Sequence, residues 1–169
     1  IACISNTTST NHQWIENIFD TKKGALLVGT LNQGIKLFDT ATKQCKNIIT
    51  YNKDRIDIYA KSFMHSKDDE YWAASENGIF ICNLSTGICS DLRMEYDNPY
   101  SLSDNAIYCL YKDKEGGIWA GSRFGGVNYY SYPYTFFTKY FSRPGINSIN
   151  GNGVHEICPD SFGNLWIGT

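Results

Sequence analysis

A short motif recurs four times along this chain at nearly constant spacing, and the repeat limits the architectures the chain can adopt. The clearest copy, residues 160–169, reads Asp-Ser-Phe-Gly-Asn-Leu-Trp-Ile-Gly-Thr. One column of the aligned copies holds Leu27, Trp72, Trp119 and Trp166, which are separated by 45, 47 and 47 residues. A period of this length predicts one supersecondary unit per copy, which must stack on its neighbours because a single unit cannot bury its own faces.

Each repeat divides into four short runs that are typical of strands. The run that carries the tryptophan is apolar on both sides of the pleat, whereas a strand of a one-sided sheet alternates apolar and polar residues. Both faces of such a sheet must be covered, which favours four-stranded sheets stacked around an axis. We therefore predict an all-β fold, a partial β-propeller of about three complete four-stranded blades plus flanking strands.

Small residues follow the tryptophan column by two positions and lie on the same face of the predicted strand. They are Gly29, Ala74, Gly121 and Gly168. Because glycine in a strand often marks a close approach by another backbone, we expect them to let the neighbouring blade come near.

The alignment also sets the boundaries of the predicted blades. One propeller segment covers residues 1–169, and its parts are an outer strand at 1–5, blade units at approximately 14–52, 57–97 and 105–142, and an incomplete unit at 153–169. An open array of this kind leaves sheet faces uncovered. We expect the remaining blades of a longer propeller, or a second copy of the chain, to cover them.

Composition excludes several classes of partner for this segment. The formal net charge is −2 with no run of Lys or Arg, so we expect no nucleic acid partner. No apolar stretch approaches the roughly 18 residues of a membrane span, so we expect no membrane contact. Cys and His residues show no zinc-like spacing, and neither a metal nor another cofactor is expected.

The six cysteines are interpreted chiefly as buried free thiols, which pack as small hydrophobic side chains. They are Cys3, Cys45, Cys82, Cys89, Cys109 and Cys158. Cys82 and Cys89 flank a predicted hairpin turn, so a cross-strand disulfide remains the alternative for that pair.

Several stretches resemble the two-component regulator propeller repeat. The motif at residues 160–169 is one, and others are Gly-Gly-Val-Asn-Tyr-Tyr at 125–130 and the Ser- and Asn-containing linkers at 100–107 and 147–154. The first two repeats depart from the pattern. The resemblance implies the periplasmic sensor region of a hybrid two-component regulator, which recognises an oligosaccharide and signals to a histidine kinase elsewhere in the parent chain. The segment itself is then a binding module rather than an enzyme.

Three columns of chemically suggestive residues have structural interpretations. The Asp residues at 20, 113 and 160 fit hairpin turns, because Asp followed by Gly is common there. The tryptophan column fits packing between blades. Three histidines occupy different columns and form no predicted metal site or general base: His12, His65 and His155.

Loops after the second and fourth strands of each blade are predicted to emerge on one face of the propeller and to carry the ligand site. Amide, guanidinium and aromatic groups suit sugar hydroxyls and apolar sugar faces. The candidates are Asn32, Gln33, Glu76, Asn77, Tyr100, Arg123, Phe124 and Arg143. The aromatic run at 129–137 is assigned to packing or a partner contact. A protein-binding scaffold and a propeller lyase remain the alternatives.

Overall fold

The computed structural model describes residues 14–131, 140–145 and 147–169, in which thirteen β-strands and no helix occur. The strands are β1 Ile15–Asp20, β2 Ala25–Thr30, β3 Ile35–Asp39, β4 Cys45–Ile49, β5 Ala60–Lys67, β6 Glu70–Ser75, β7 Gly78–Asn83, β8 Cys89–Leu92, β9 Ile107–Lys112, β10 Ile118–Ser122, β11 Val127–Tyr130, β12 Glu156–Pro159 and β13 Leu165–Gly168. The strand predicted at 1–5 lies outside the described residues, as do His12, Cys3 and most of the fourth strand predicted for the third blade.

Antiparallel sheets succeed one another in the order of the repeats. Strands β1–β4 and β5–β8 form two four-stranded blades, β9–β11 form three described strands of a third, and β12–β13 form a hairpin. The first strands β1, β5 and β9 contact one another from sheet to sheet and are therefore the innermost strands, next to the axis. The prediction of an all-β propeller with stacked four-stranded blades is confirmed.

Two apolar clusters fill the spaces between blades. The cluster between the first and second blades includes Leu27, Ala73 and Phe80. The cluster between the second and third blades includes Trp72 and Ile118. Side chains of the tryptophan column thus face the following blade, and their strand neighbours face the preceding one, as the alternation of a strand requires.

The prediction that the whole tryptophan column is packed between blades is confirmed for one tryptophan and wrong for two. Trp72 is 2% exposed and Leu27, in the same column, is also 2% exposed, but Trp119 is 42% exposed and Trp166 is 69% exposed. The reason is that the column faces the following blade, so each tryptophan is buried only where that blade packs against it. The β12–β13 hairpin does not cover the third blade, and no described sheet covers the face of β13 that carries Trp166.

The small-residue column brings blades close together at one position. A Cβ atom at Gly29 would lie 2.6 Å from the carbonyl oxygen of Ala60 and 3.1 Å from the ring of Phe63, both in the second blade. A Cβ atom at Gly168 would meet nothing nearer than 3.8 Å. The prediction of a close approach is therefore confirmed at Gly29, where another blade packs against the strand, and not at Gly168.

The prediction that the cysteines are chiefly buried free thiols is wrong for the five cysteines that the structure describes. Cys82 and Cys89 are directly opposed in the β7–β8 ladder, with Cα atoms 4.1 Å apart, and form a disulfide. Cys45, Cys109 and Cys158 are free but exposed. Sequence spacing alone could not distinguish these outcomes, because the register of β7 on β8 decides which side chains meet.

The aspartate column closes hairpin turns and also holds the indole rings. Asp160 accepts hydrogen bonds from the backbone of Phe162 and Asn164 at 2.8 and 2.9 Å and from Trp166 Nε1 at 3.1 Å. Asp113 likewise accepts from Trp119 Nε1 at 2.9 Å. In the second blade Ser66 occupies the column, and Glu70 accepts from Trp72 Nε1 instead, also at 2.9 Å.

We predict that Asp160 titrates well below an ordinary aspartate. Hydrogen bonds from the Asn164 side chain and backbone, and then from Phe162 and Trp166, lower its pKa to about 2, against desolvation that would raise it. Because the folded pKa is lowered, its contribution to stability is complete above the unfolded value of about 3.9 and is lost as the pH falls through about 2. Carbon-13 NMR of the Asp160 carboxyl carbon checks this, and a midpoint near 3.9 in the folded state would contradict it.

Candidate binding site at the innermost strands

A β-bulge interrupts each innermost strand at the same place in the repeat. The register skips one residue in β1, β5 and β9, which leaves Glu16, Lys61 and Tyr108 without a partner residue in the ladder. His155 occupies the equivalent position before β12, three residues ahead of the Cys158 that pairs with Trp166. Bulges commonly redirect a side chain, and here they do so once per blade beside the axis.

Lys61 is the centre of a cluster that joins the second blade to both of its neighbours. Its ammonium group lies 2.5 Å from Glu76 Oε1, 3.5 Å from the ring centre of Tyr108 and 4.5 Å from that of Tyr59. The first blade contributes Asn17, whose Nδ2 donates to the Lys61 carbonyl oxygen at 3.1 Å. A cation over aromatic rings and beside a carboxylate is held in one place, so the geometry is preorganised.

Contacts within the cluster shift the pKa values of Lys61 and Tyr59. Desolvation opposes the charge on Lys61, but hydrogen bonds with Glu76 and Tyr108 outweigh it and raise the pKa of the lysine. Burial, followed by a hydrogen bond with Glu16, raises the pKa of Tyr59. Both shifts keep Lys61 charged and the Tyr59 hydroxyl protonated near neutral pH, and the carboxyl groups of Glu16 and Glu76 and the hydroxyl of Tyr108 lie beside them. These donors and acceptors can bind hydroxyl groups, and the aromatic rings can pack against apolar ring faces.

Of the predicted loop residues that follow second strands, one contacts Lys61 directly. Glu76 belongs to the cluster, and the Asn77 side chain donates to the Asp57 carbonyl oxygen at 3.0 Å. Phe124 is 82% exposed, with the Arg123 guanidinium 5.0 Å from its ring centre. The Arg123 backbone donates to the Ala106 carbonyl oxygen at 2.8 Å and the Phe124 backbone to Asp104 at 3.0 Å, so this loop, like that of Asn77, lies against a connection between blades.

The two candidates in the first blade do not join the Lys61 cluster. Asn32 is exposed, and the Gln33 backbone donates to Thr30 Oγ1 at 2.9 Å, which is a turn contact.

Tyr100 and Arg143 belong to a second group, which is separate from the Lys61 cluster. Phe141 lies 5.2 Å from the Tyr100 ring and 4.4 Å from the Arg143 guanidinium, measured to ring centres. Arg143 also lies 3.9 Å from Glu95. The structure therefore divides the eight predicted residues between different places instead of assembling them into one site.

Sequence reasoning missed four members of the cluster because three lie on strands and one directly precedes a strand, whereas the candidates were sought in loops after second and fourth strands. They are Glu16, Tyr59, Lys61 and Tyr108. Their position in the repeat was one available signal. Glu16, Lys61 and Tyr108 each lie three residues before the residue that pairs with the tryptophan column. A charged or phenolic side chain at this point of an innermost strand has no packing role in an apolar sheet.

Neither a metal site nor a membrane-spanning helix is found in the part of the chain that the structure describes. No three His, Cys, Asp or Glu side chains there come close enough to hold an ion. No helix of that part has the length and apolar character needed to cross a bilayer.

Comparisons with known proteins agree with this architecture. The family model of the two component regulator propeller matches residues 101–124 and 148–169. The extracellular domain of the hybrid two component system BT3049 from B. thetaiotaomicron is similar, with 30% identity and a TM-score of 0.68 over 92% of this chain and 20% of that chain. No curated protein sequence matches the chain.

Two further solved structures are less than 25% identical and show the fold alone. The extracellular domain of BT4673 from B. thetaiotaomicron has 21% identity and a TM-score of 0.64 over 95% of this chain and 21% of that chain. The WD40 β-propeller domain of Doa1 has 16% identity and a TM-score of 0.55 over 74% and 39%. The chain spans about a fifth of the length of the two B. thetaiotaomicron chains. It is a β-propeller segment in which residues 101–124 and 148–169 match the two component regulator propeller family.

Proposed function

We propose that this segment is part of the ligand-sensing region of a hybrid two-component regulator, that it lies in the periplasm and that it recognises an oligosaccharide. The observation that carries the proposal is the Lys61 cluster, in which three successive blades present fixed polar groups and aromatic rings beside the axis. Support for the cellular setting comes from the similar structure of BT3049, which is an extracellular domain of a hybrid two component system.

Signalling requires more than tight binding. A ligand shifts a conformational equilibrium only by its difference in affinity between two arrangements. Because Lys61 bridges neighbouring blades through Asn17 and Tyr108, a ligand at this cluster contacts more than one blade at once. Such a ligand can favour one relative position of the blades, and the proposed output is a change in the activity of a histidine kinase elsewhere in the parent protein.

Substitution of Lys61 by methionine tests the proposed site. We expect Lys61→Met to weaken oligosaccharide binding by the full sensor region about ten- to a hundredfold, because a charged hydrogen bond contributes roughly 1.5–3 kcal/mol. Isothermal titration calorimetry with a broad panel of neutral and acidic oligosaccharides is the measurement. Tyr108→Phe keeps the ring, removes the hydroxyl and should have a smaller effect.

Lys46→Met is the matched control, because Lys46 is exposed on the outer strand β4. Urea denaturation of each variant separates a lost contact from a lost fold. Failure of every oligosaccharide to bind the wild type would contradict the proposal, as would equal affinities for wild type and a folded Lys61→Met variant.

A protein-binding scaffold is the second candidate, and one observation favours it. Large aromatic side chains stand exposed at loops, with Tyr96 at 96%, Phe162 at 90% and Phe124 at 82% exposure. Exposed aromatic residues are common anchors in protein interfaces. Loss of partner binding on Phe124→Ser, with oligosaccharide binding absent from the wild type, would favour the scaffold.

A further inference from the structure

A cavity of about 260 Å³ lies between the second and third blades and has no lining residue in common with the Lys61 cluster. Part of its wall comes from the connection between these blades, and the rest comes from the facing sheets. Its lining includes Trp72, Arg93, Glu95, Tyr100, Asn128 and Tyr130. The cavity therefore combines aromatic rings with hydrogen-bonding groups, which is the usual composition of a small-molecule site.

Two side chains that line this cavity carry buried donor atoms without a hydrogen bond among the described residues. Asn128 uses its Oδ1 to accept from the Ser103 backbone at 2.9 Å, and its Nδ2 atom has no hydrogen bond. Arg93 donates from Nη1 to Asp54 at 2.7 Å, and its Nε lies 2.9 Å from Asp91 as an ion pair without hydrogen-bond geometry, so Nε and Nη2 have no hydrogen bond. Because buried polar groups in folded proteins are normally hydrogen-bonded, these donors indicate an occupant that supplies acceptors.

Charge around the cavity argues against an anionic occupant. The positive charge of Arg93 is already offset by Asp54 and Asp91, and Lys53 lies 2.6 Å from the second oxygen of Asp91. Glu95 also lines the cavity and adds a negative charge. Arg143 lies 3.9 Å from Glu95, so three cationic and three anionic groups around the cavity balance, and a neutral molecule with hydroxyl groups fits better than a carboxylate. Its hydroxyls can accept from the buried donor atoms and donate to Glu95.

Size and shape limit the occupant to about one ring. Ligand pockets for drug-sized molecules are typically about 300–1,000 Å³, and this cavity of about 260 Å³ is smaller than that. Trp72 and Tyr130 meet edge to face with ring centres 5.3 Å apart, which provides an apolar wall. We propose that this interblade cavity is a second binding site, and that it takes one neutral sugar residue or a comparable cyclic polyol. That the occupant is a saccharide rather than another polyol rests on the proposed function. The preference for a neutral molecule with hydroxyl groups rests on the cavity alone.

Four probes test this site on the full sensor region: methyl β-D-glucopyranoside, methyl β-D-galactopyranoside, myo-inositol and sodium glucuronate. Saturation-transfer NMR detects binding and calorimetry measures affinity. At least one neutral probe should bind more tightly than glucuronate. Asn128→Asp keeps the acceptor for Ser103 but removes the free donor, and should weaken that binding about fivefold or more. Asn128→Ala should weaken it too.

Asn47→Asp is the matched control, because it makes the same chemical change at an exposed residue of β4 and should leave binding unchanged. Absence of binding by all neutral probes, which would mean a cavity filled by water, overturns the inference. So does binding that folded Asn128 variants retain in full. A different result contradicts the proposed oligosaccharide site, namely oligosaccharide binding that does not depend on Lys61.

Discussion

Replacement of Trp72 by alanine is expected to lower the free energy of unfolding by about 3–5 kcal/mol, the range found for removal of a fully buried aromatic side chain. The side chain is 2% exposed between the second and third blades, and its Nε1 donates to Glu70. Removal opens a cavity between two sheets that cannot collapse without moving a blade. The loss should therefore lie among the largest for single substitutions in this chain.

Trp119→Ala is the matched comparison, because Trp119 occupies the same column in the next repeat but is 42% exposed. We expect Trp119→Ala to lower the free energy of unfolding by about 1 kcal/mol, because the folded chain buries less apolar surface at Trp119 than at Trp72. Urea denaturation followed by circular dichroism measures both values. Equal losses for the two variants would contradict the assignment of Trp72 to a buried position between blades. Fluorescence recorded in the same titration tests for two-state unfolding, which arrays of repeats do not always show.

Local features of the sequence predicted the blades well, whereas features that depend on a neighbour were predicted poorly. Strand periodicity and turn residues belong to one repeat, so the four-stranded meander could be derived from them. Burial of Trp72 and exposure of Trp119 depend on whether another sheet packs against each blade, although both residues stand in the same motif. The same limit applies to Cys82 and Cys89, whose bond depends on strand register.

The candidate site shows this limit more strongly. Glu76 was predicted because it follows a second strand, but its partner Lys61 is brought inward by a bulge that the sequence does not mark. Asn128 gave no signal either, because its free Nδ2 atom results from a contact of its Oδ1 with Ser103 in the connection between blades. Loop chemistry is readable residue by residue, whereas a binding cluster made by several blades requires their relative placement.

Substitution of Gly29 by alanine is expected to lower the free energy of unfolding by about 1–3 kcal/mol, the usual cost of overpacking a well-packed interior. The new Cβ atom would lie 2.6 Å from the Ala60 carbonyl oxygen. That oxygen belongs to the backbone of the second blade, so it cannot rotate away as a flexible side chain could. Relief of the clash requires the two blades to separate, which weakens the contacts that Leu27 makes with the second blade.

Gly168→Ala is the control, because it makes the same change in the same column where the nearest atom would be 3.8 Å away. We expect it to be neutral or to stabilise the chain by up to about 1 kcal/mol, since alanine restricts the unfolded chain more than glycine does. The changes in the free energy of unfolding that the two substitutions cause, measured by urea denaturation, should therefore differ in sign or clearly in size. A Gly29→Ala variant as stable as the wild type would mean that the first two blades are not held in contact at this point, and the close stacking of blades that positions the Lys61 cluster would have to be abandoned.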